Sequence, residues 1–403
     1  MIGLMPADPP EGESDEPTAA STPHVSLGVI VREWARIGIT GFGGPPAHIA
    51  LLRRLCVQQK HWISEAEFED GIAATSLIPG PASTQLAIFC AWRLAGTVGA
   101  IVGGACFIVP GLIIILALSV LFLAKSPPDW VLGAAAGAGA AVPAVAVSAA
   151  ISLVPASWKR AGSARSAQAR WVAYVVVSGA AVNFAGQFLV AVLLGCGLVE
   201  WLARRRAGPA GNGALLLPLV AKGAITAGVL APVAWVAFKV GALSFGGGFV
   251  IIPLMQHDAV HTYHWMTNSQ FLSAVALGQV TPGPVVQTVA VVGYAAAGVG
   301  GGLLASFIAF LPSFVFVLLG GRHFDRFRRS ATAQSFLAGS GPAAIGAIGG
   351  AAITLGLSLT HYWQVGVLAA AICWLVLLRR GVVSAILAAA GIGVIVALAG
   401  GLS

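Results

Sequence analysis

The chain has 403 residues, of which 58% are hydrophobic and 9% are charged, whereas a soluble domain carries about 25% charged residues. This composition excludes an ordinary water-soluble enzyme and indicates a membrane protein. Five of the 14 acidic residues lie before residue 17, so the rest of the chain sets nine acids against 22 basic residues, a net charge of +13. Because those basic residues collect in short loops between apolar stretches, as in membrane proteins, we predict no nucleic-acid partner.

Residues 1–24 form an acidic, proline-rich stretch without the basic start of a secretory signal peptide. We predict a disordered tail there. The five cysteines are widely spaced, which supports neither a disulfide framework nor a zinc site.

The apolar segments divide into continuous and interrupted ones. A bilayer core of ~30 Å requires about 20 apolar residues per helix, and four segments reach that length: 96–123, 131–155, 290–320 and 336–359. Two others each predict a pair of shorter helices, namely 171–203, turning near Asn183, and 365–402, turning near Arg379. Glycine and proline interrupt the remaining apolar stretches: 27–52, 66–92, 227–256 and 271–290.

The interrupted segments contain an internal repeat. Phe42-Gly43-Gly44 recurs as Phe245-Gly246-Gly247, and Pro79-Gly80-Pro81 recurs as Pro282-Gly283-Pro284, both at an offset of 203. Ordered matches at one offset predict one unit written twice. We therefore divide the chain into a tail, a first repeat, a linker and a second repeat, at 1–24, 25–203, 204–226 and 227–403.

Basic residues predict how the two repeats lie in the membrane. The first repeat carries Arg53, Arg54 and Lys60 after its first broken segment, where the matching stretch 256–263 has no lysine or arginine. A group of arginines within 322–329 shows the opposite bias. Since lysine and arginine loops stay cytoplasmic, we predict an all-α polytopic membrane protein with two inverted-topology repeats, broken or re-entrant helices and about ten crossings.

The paired glycine breaks are the first candidate site. Glycine and proline inside an apolar run release backbone polar groups, which hydrocarbon tolerates only against protein or a water-filled cavity. We interpret the breaks as discontinuous helices at a substrate site, and the alternative is a kink for close helix packing. The candidate residues are Gly43, Gly44, Gly246 and Gly247.

The two Pro-Gly-Pro triplets are the second candidate site. A second proline is suited to begin a helix, and a helix N-terminus presents free N–H donors that favour an anion. Two such starts predict a site for a small oxyanion, whereas the alternative is simple capping by Ser83 or Thr84. The candidate residues are Gly80, Ser83, Thr84, Gln85, Gly283, Gln287 and Thr288.

Two ionisable residues complete the candidate site. Arg93 follows the first Pro-Gly-Pro segment, where it pairs with an anion or else snorkels to the membrane surface. His48 follows the first glycine break and corresponds to Ile251 in the second repeat; the alternative is a packed, hydrogen-bonded histidine. Phosphate-binding loops and hydrolase motifs are absent from the sequence, so we predict no cofactor, no metal and no enzymatic activity.

The motifs resemble those of the chromate ion transporter family in its long-chain, two-domain form. The resembling stretches are Gly41-Phe42-Gly43-Gly44-Pro45-Pro46-Ala47-His48-Ile49, Leu77-Ile78-Pro79-Gly80-Pro81-Ala82-Ser83-Thr84-Gln85-Leu86 and Gly278-Gln279-Val280-Thr281-Pro282-Gly283-Pro284-Val285-Val286-Gln287-Thr288. The resemblance implies a multi-pass protein of the bacterial inner membrane that exports chromate and confers chromate resistance. Sulfate or another small anion, carried by a transporter or a channel, stays open as an alternative. Membrane lipid and a possible homodimer complete the expected partners.

Overall fold

The computed structural model describes residues 25–76, 78, 80–124, 126–185, 188–206, 228–244, 251–320 and 330–401. Helices dominate this part of the chain, and none of it forms a β-strand. The all-α prediction is confirmed. The glycine break at 245–250, most of the linker and the arginines at 322–329 lie outside the described residues.

The described part of the first repeat contains seven α-helices. Their bounds are α1 Leu27–Thr40, α2 Pro45–Arg53, α3 Glu65–Thr75, α4 Ala82–Phe122, α5 Asp129–Ala161, α6 Arg165–Ala185 and α7 Leu189–Arg206. A π-helical turn at Arg54–Gln59 extends α2. Proline begins α2, and the Ser64 side chain caps α3 by accepting from the N–H of Glu67. The break between α6 and α7 confirms the turn predicted near Asn183.

The second repeat follows the same order. Its helices are α8 Leu230–Leu243, α9 Ile251–Gln256, α10 Asn268–Val280, α11 Thr288–Gly320, α12 Ala331–Leu357, α13 Tyr362–Ile372 and α14 Val382–Leu398. A π-helical turn at His257–Thr262 extends α9, and another at Cys373–Leu377 extends α13. A short 3-10 turn, Val285–Gln287, precedes α11.

Within the described residues, four helices are long and apolar enough to cross a membrane: α4, α5, α12, and α11 with its preceding turn. They confirm the four continuous segments predicted from the sequence. Their outer faces expose large apolar side chains such as Ile113, Phe307 and Leu319. Together with the shorter apolar helices, they indicate a multi-pass membrane protein.

Helix α4 is folded back on itself. Ala95 and Gly96 leave the helical conformation, and beyond them Gly103 packs on the Cβ of Ala91. In a straight helix these two residues would lie ~18 Å apart. The stretch from Ala82 to Leu94 is therefore a short helix that pairs with the longer stretch after Gly96.

Helix α11 folds back in the same way at Ala297 and Gly298, where Gly293 packs against Gly301. The φ angles at this reversal are −149° and 63°, against −145° and 60° at Ala95 and Gly96. The repeat in the sequence is thus accompanied by a repeat in backbone conformation.

The long parts of α4 and α11 run antiparallel, since Gly104 meets Phe314 while Gly302 meets Leu116. Helix α14 is antiparallel to α5, with Gly133 beside Gly393 and Gly137 beside Ala389. The start of α14 therefore lies toward the Arg160 end of α5.

Candidate functional site

The helix breaks of the two repeats meet each other through backbone hydrogen bonds. The N–H of Gly80 donates to the carbonyl of Ser244 (3.0 Å), and the N–H of Gly283 donates to the carbonyl of Gly41 (3.0 Å). Each Pro-Gly-Pro segment therefore binds the glycine break of the other repeat. This exchange satisfies carbonyls that the broken helices leave free.

Glycine is required in these segments by backbone conformation. Gly43, Gly44, Gly80 and Gly283 all have positive φ angles, of 102°, 72°, 129° and 92°. A residue with a Cβ atom is strained at such φ angles. A Cβ at Gly80 would also collide with the amide of Gln85, whereas the nearest atom to a Cβ at Gly283 lies 3.7 Å away.

His48 lies at the first break and is fully buried. Its Nε2 lies 2.9 Å from the carbonyl of Gly41, which is an acceptor, so Nε2 carries a proton. Its Nδ1 lies 3.2 Å from the hydroxyl of Ser83, which donates to it when the ring is neutral. The edge of the ring contacts Phe107 at 5.0 Å between centroids. His48 thus joins the glycine break of α1 and α2 to the start of α4.

The start of α4 buries Ser83, Thr84 and Gln85. Pro81 is the N-cap residue and makes no side-chain capping bond. Ser83 bonds to His48 instead of capping, and Thr84 Oγ1 has no hydrogen-bond partner within the described structure. Neither Ser83 nor Thr84 therefore caps α4 with its side chain.

The start of α11 is less polar, because Val285 and Val286 occupy its first turn. Gln287 donates from Nε2 to the carbonyl of Ile108 (2.6 Å), while its Oε1 meets no partner among the described atoms. Thr288 donates to the carbonyl of Val285 (2.9 Å). Its hydroxyl therefore supports the local turn.

Two further buried hydroxyls lie beside these helix starts. Ser244, whose carbonyl binds Gly80, and Ser313 are both fully buried. Neither hydroxyl has a partner in the described parts of the chain. Ser313 Oγ lies 3.2 Å from the position that a Cβ at Gly80 would take. Both serines lie beside repeated motifs, since Ser244 precedes the second glycine break and Ser313 follows Pro312, which repeats Pro110. The site residues predicted from the sequence nevertheless include neither serine.

We call the six buried residues at this meeting point the central polar cluster: His48, Ser83, Thr84, Ser244, Gln287 and Ser313. None of the six is a carboxylate or a permanent cation. Unpaired buried hydroxyls cost about 1–3 kcal/mol each, and native proteins rarely leave them without water or ligand. A small oxyanion, which accepts hydrogen bonds at every oxygen, satisfies such hydroxyls.

Other predicted site residues lie elsewhere. Arg93 forms an ion pair with Glu67 and stacks near Trp92, outside the central polar cluster. Gly246 and Gly247 lie outside the described residues. Two basic residues that match at the offset of 203 precede the glycine breaks: Lys239 pairs with Asp258 at 2.6 Å, and Arg36 pairs with Glu33.

The comparisons with known proteins agree with the sequence. The family model described as chromate transporter matches residues 29–201 and 231–395. A chromate transport protein of Cupriavidus metallidurans is 34% identical over 356 residues, which cover 84% of this chain and 86% of that protein. A chromate transport protein of Pseudomonas aeruginosa is 29% identical over 86% of this chain and 85% of its own length. No solved structure matches the chain.

Proposed function

This chain belongs to the chromate transporter family, and we propose that it is a secondary transporter that exports chromate across the bacterial inner membrane. Its relatives are named transporters, and it is accordingly a transporter rather than an enzyme. The observation that carries the proposal is the central polar cluster, where the unpaired buried hydroxyls of Thr84, Ser244 and Ser313 lie at or beside the first Pro-Gly-Pro helix start. Chromate is a tetrahedral dianion whose oxygens accept the hydrogen bonds that these groups donate.

The proposed binding mode uses preorganised dipoles instead of a fixed positive charge. The starts of α4 and α11 direct the positive ends of their dipoles at the cluster, while Thr84, Ser244 and Ser313 supply hydroxyl donors. The N–H groups of Gly80 and Gly283 already bind carbonyls, so these glycines shape the site without donating to the ion. A site without a permanent cation releases a dianion readily, as transport requires.

We further propose that residues 25–203 and 227–403 are oppositely oriented repeats. In support, the reversals at Ala95–Gly96 and Ala297–Gly298 have matching conformations, and the long parts of α4 and α11 are antiparallel. The midplane meeting of two inverted repeats is the arrangement that lets a transporter open to either side in turn. The count of about ten crossings stays a prediction.

Export is the proposed direction because the membrane potential favours it. Moving one elementary charge across 100 mV corresponds to about 2.3 kcal/mol, so a dianion leaving an inside-negative cell gains roughly twice that. This driving force needs no coupled proton. The basic residues in the last turns of α5 and α7 and directly before α14 lie at one end of the helices, which we assign to the cytoplasm.

The direct test is uptake of labelled chromate into everted membrane vesicles that contain the full-length protein. We expect saturable uptake that rises with an inside-positive vesicle potential and is inhibited by excess sulfate in proportion to its affinity. Uptake equal to that of protein-free vesicles would refute the chromate proposal. Uptake of labelled sulfate without chromate uptake would assign the site to sulfate, and single-channel currents would assign it to a channel.

A further inference from the structure

Two adjoining cavities lead away from the first Pro-Gly-Pro segment. The inner cavity has a volume of about 180 Å³ and is lined by Thr75, Ser76, Gly80, Ser157, Arg160 and Ser340, among others. The outer cavity, of about 250 Å³, is lined by Arg160, Arg204 and Gln334, with apolar residues of α12. Since one buried water needs only ~10–15 Å³, each cavity has room for an ion with part of its hydration shell.

Arg160 is the residue that the two cavities share together with Leu337. Its Nε donates to the carbonyl of Ala156, one turn earlier in the same helix. Among the ion pairs of the described residues, none involves Arg160, whereas the neighbouring Arg170 and Arg204 both bind Glu200. Arg160 therefore presents a positive charge to the cavities that no carboxylate neutralises.

The inner cavity is polar on the side that approaches the helix start. Ser157 accepts a hydrogen bond from the indole of Trp171 at 2.9 Å, so its own hydroxyl proton is free to face the cavity. Thr75 and Ser76 lie at the end of α3, directly before the Pro-Gly-Pro segment. The hydroxyl of Thr75 donates to the carbonyl of Gly71 (2.8 Å), so its oxygen is only an acceptor toward the cavity. Ser157 and the other polar lining residues connect Arg160 with Gly80, whose Cβ position adjoins Ser313 of the central polar cluster.

The second repeat does not carry this charge at the matching position. An offset of 202 places Tyr362 opposite Arg160, and Tyr362 is 99% exposed at the start of α13. The charged cavity therefore belongs to one end of the molecule, the end where basic residues of α5, α6 and α7 come together.

We propose that the two cavities form the entrance through which a small oxyanion reaches the central polar cluster from the basic end of the molecule, and that Arg160 is the residue that draws the ion in and positions it. The inference rests on the proposed function and adds the side of entry and a specificity-determining residue to it. A cation beside a low-dielectric cavity raises the local concentration of anions, and the resulting gain in association is typically 10- to 1,000-fold.

The transport test compares Arg160→Gln and Arg160→Lys with a control, Lys159→Gln, which removes the neighbouring positive charge at a residue that does not line the cavities. In everted vesicles we expect the KM for chromate to rise about tenfold in Arg160→Gln, to be largely restored in Arg160→Lys and to stay unchanged in Lys159→Gln. The maximal rate is expected to change little. An unchanged KM in Arg160→Gln would overturn the inference while leaving chromate transport intact, and loss of wild-type uptake would instead overturn the proposed function.

A second measurement does not depend on transport. Ser340→Cys places a thiol in the inner cavity, and its labelling is measured against the parent protein with an anionic and a cationic methanethiosulfonate reagent. We expect the anionic reagent to react about ten times faster than the cationic one, chromate to slow it, and this preference to disappear when Arg160→Gln is added. Equal labelling rates with the anionic and the cationic reagent would contradict the proposed anion entrance.

Discussion

The starts of α4 and α11 have nearly the same backbone and different chemistry. Both follow a Pro-Gly-Pro segment, and both bind the opposite glycine break through a glycine N–H. The first start carries Ser83 and Thr84 with His48 beside it, while the second has Val285 and Val286 at its beginning. The first also opens into a cavity with Arg160.

This difference separates what glycine and proline determine from what side chains determine. The two Pro-Gly-Pro segments set the shape of the meeting point, since Gly80 and Gly283 both have a positive φ and both donate to a carbonyl of the opposite repeat. At the helix starts themselves, hydroxyl groups and charge are concentrated on the first half. We therefore expect substitutions at the first helix start to affect transport more strongly than their counterparts at the second.

The largest effect is expected from alanine at Gly80. Its φ of 129° strains any side chain, by about 1–3 kcal/mol, and the new Cβ displaces the amide of Gln85. Gly80→Ala is expected to lower chromate transport more than tenfold at normal membrane levels of protein. Vesicle uptake normalised to the amount of protein measures this.

Gly283→Ala is the matched variant. It meets the same kind of strain at a φ of 92° but no atom within 3.7 Å, so we expect a lower unfolding temperature with a smaller loss of transport. Equal loss in both variants would remove the distinction between the two helix starts.

An intermediate effect is expected at His48. Phenylalanine there leaves the hydroxyl of Ser83 without its partner and removes one of the two donors to the carbonyl of Gly41, which keeps the N–H of Gly283. An unsatisfied buried group costs about 1–3 kcal/mol. We expect His48→Phe to lower transport about tenfold and to lower the unfolding temperature. Glutamine, which keeps a donor and an acceptor, is expected to restore part of both.

The counterpart of His48 is Ile251, which is buried without a polar role. Ile251→Val is expected to cost about 0.5–1.5 kcal/mol of stability through lost packing, with transport unchanged. If Ile251→Val impaired transport as strongly as His48→Phe, packing alone would explain the histidine.

The smallest effect is expected at the two helix reversals. Gly96 and Gly298 have φ angles of 60° and 63°, and a Cβ at either one meets open space. Alanine at each is expected to cost about 1–2 kcal/mol from backbone strain alone, equally in the two repeats, with transport retained. Thermal unfolding in detergent measures both, and unequal shifts would disprove the equivalence of the reversals.

The sequence predicted the continuous helices, the turn near Asn183 and the proline-led start of α4, because these depend on local hydrophobicity and backbone restriction. Its predicted apolar segments divide between residues 92 and 96, close to Ala95 and Gly96, but it did not predict that α4 folds back on itself there. It also missed the pairing of Gly80 with Ser244 and the position of Arg160 between the two cavities, which depend on contacts between distant parts of the chain. Arg93, selected for its position, proves to be paired with Glu67.

The exchange of backbone bonds between the two breaks sets an order on biosynthesis. The carbonyl of Gly41 accepts a hydrogen bond from the N–H of Gly283, which follows it in the chain by about 240 residues. At ~5–20 residues per second, the ribosome adds Gly283 roughly 10–50 s after Gly41. During that time the first half lacks the segment that packs on its glycine break, and His48 is the partner that the first repeat itself supplies to the carbonyl of Gly41. A nascent chain interrupted in the linker is therefore the form of this protein that most needs a membrane chaperone and most invites proteolysis.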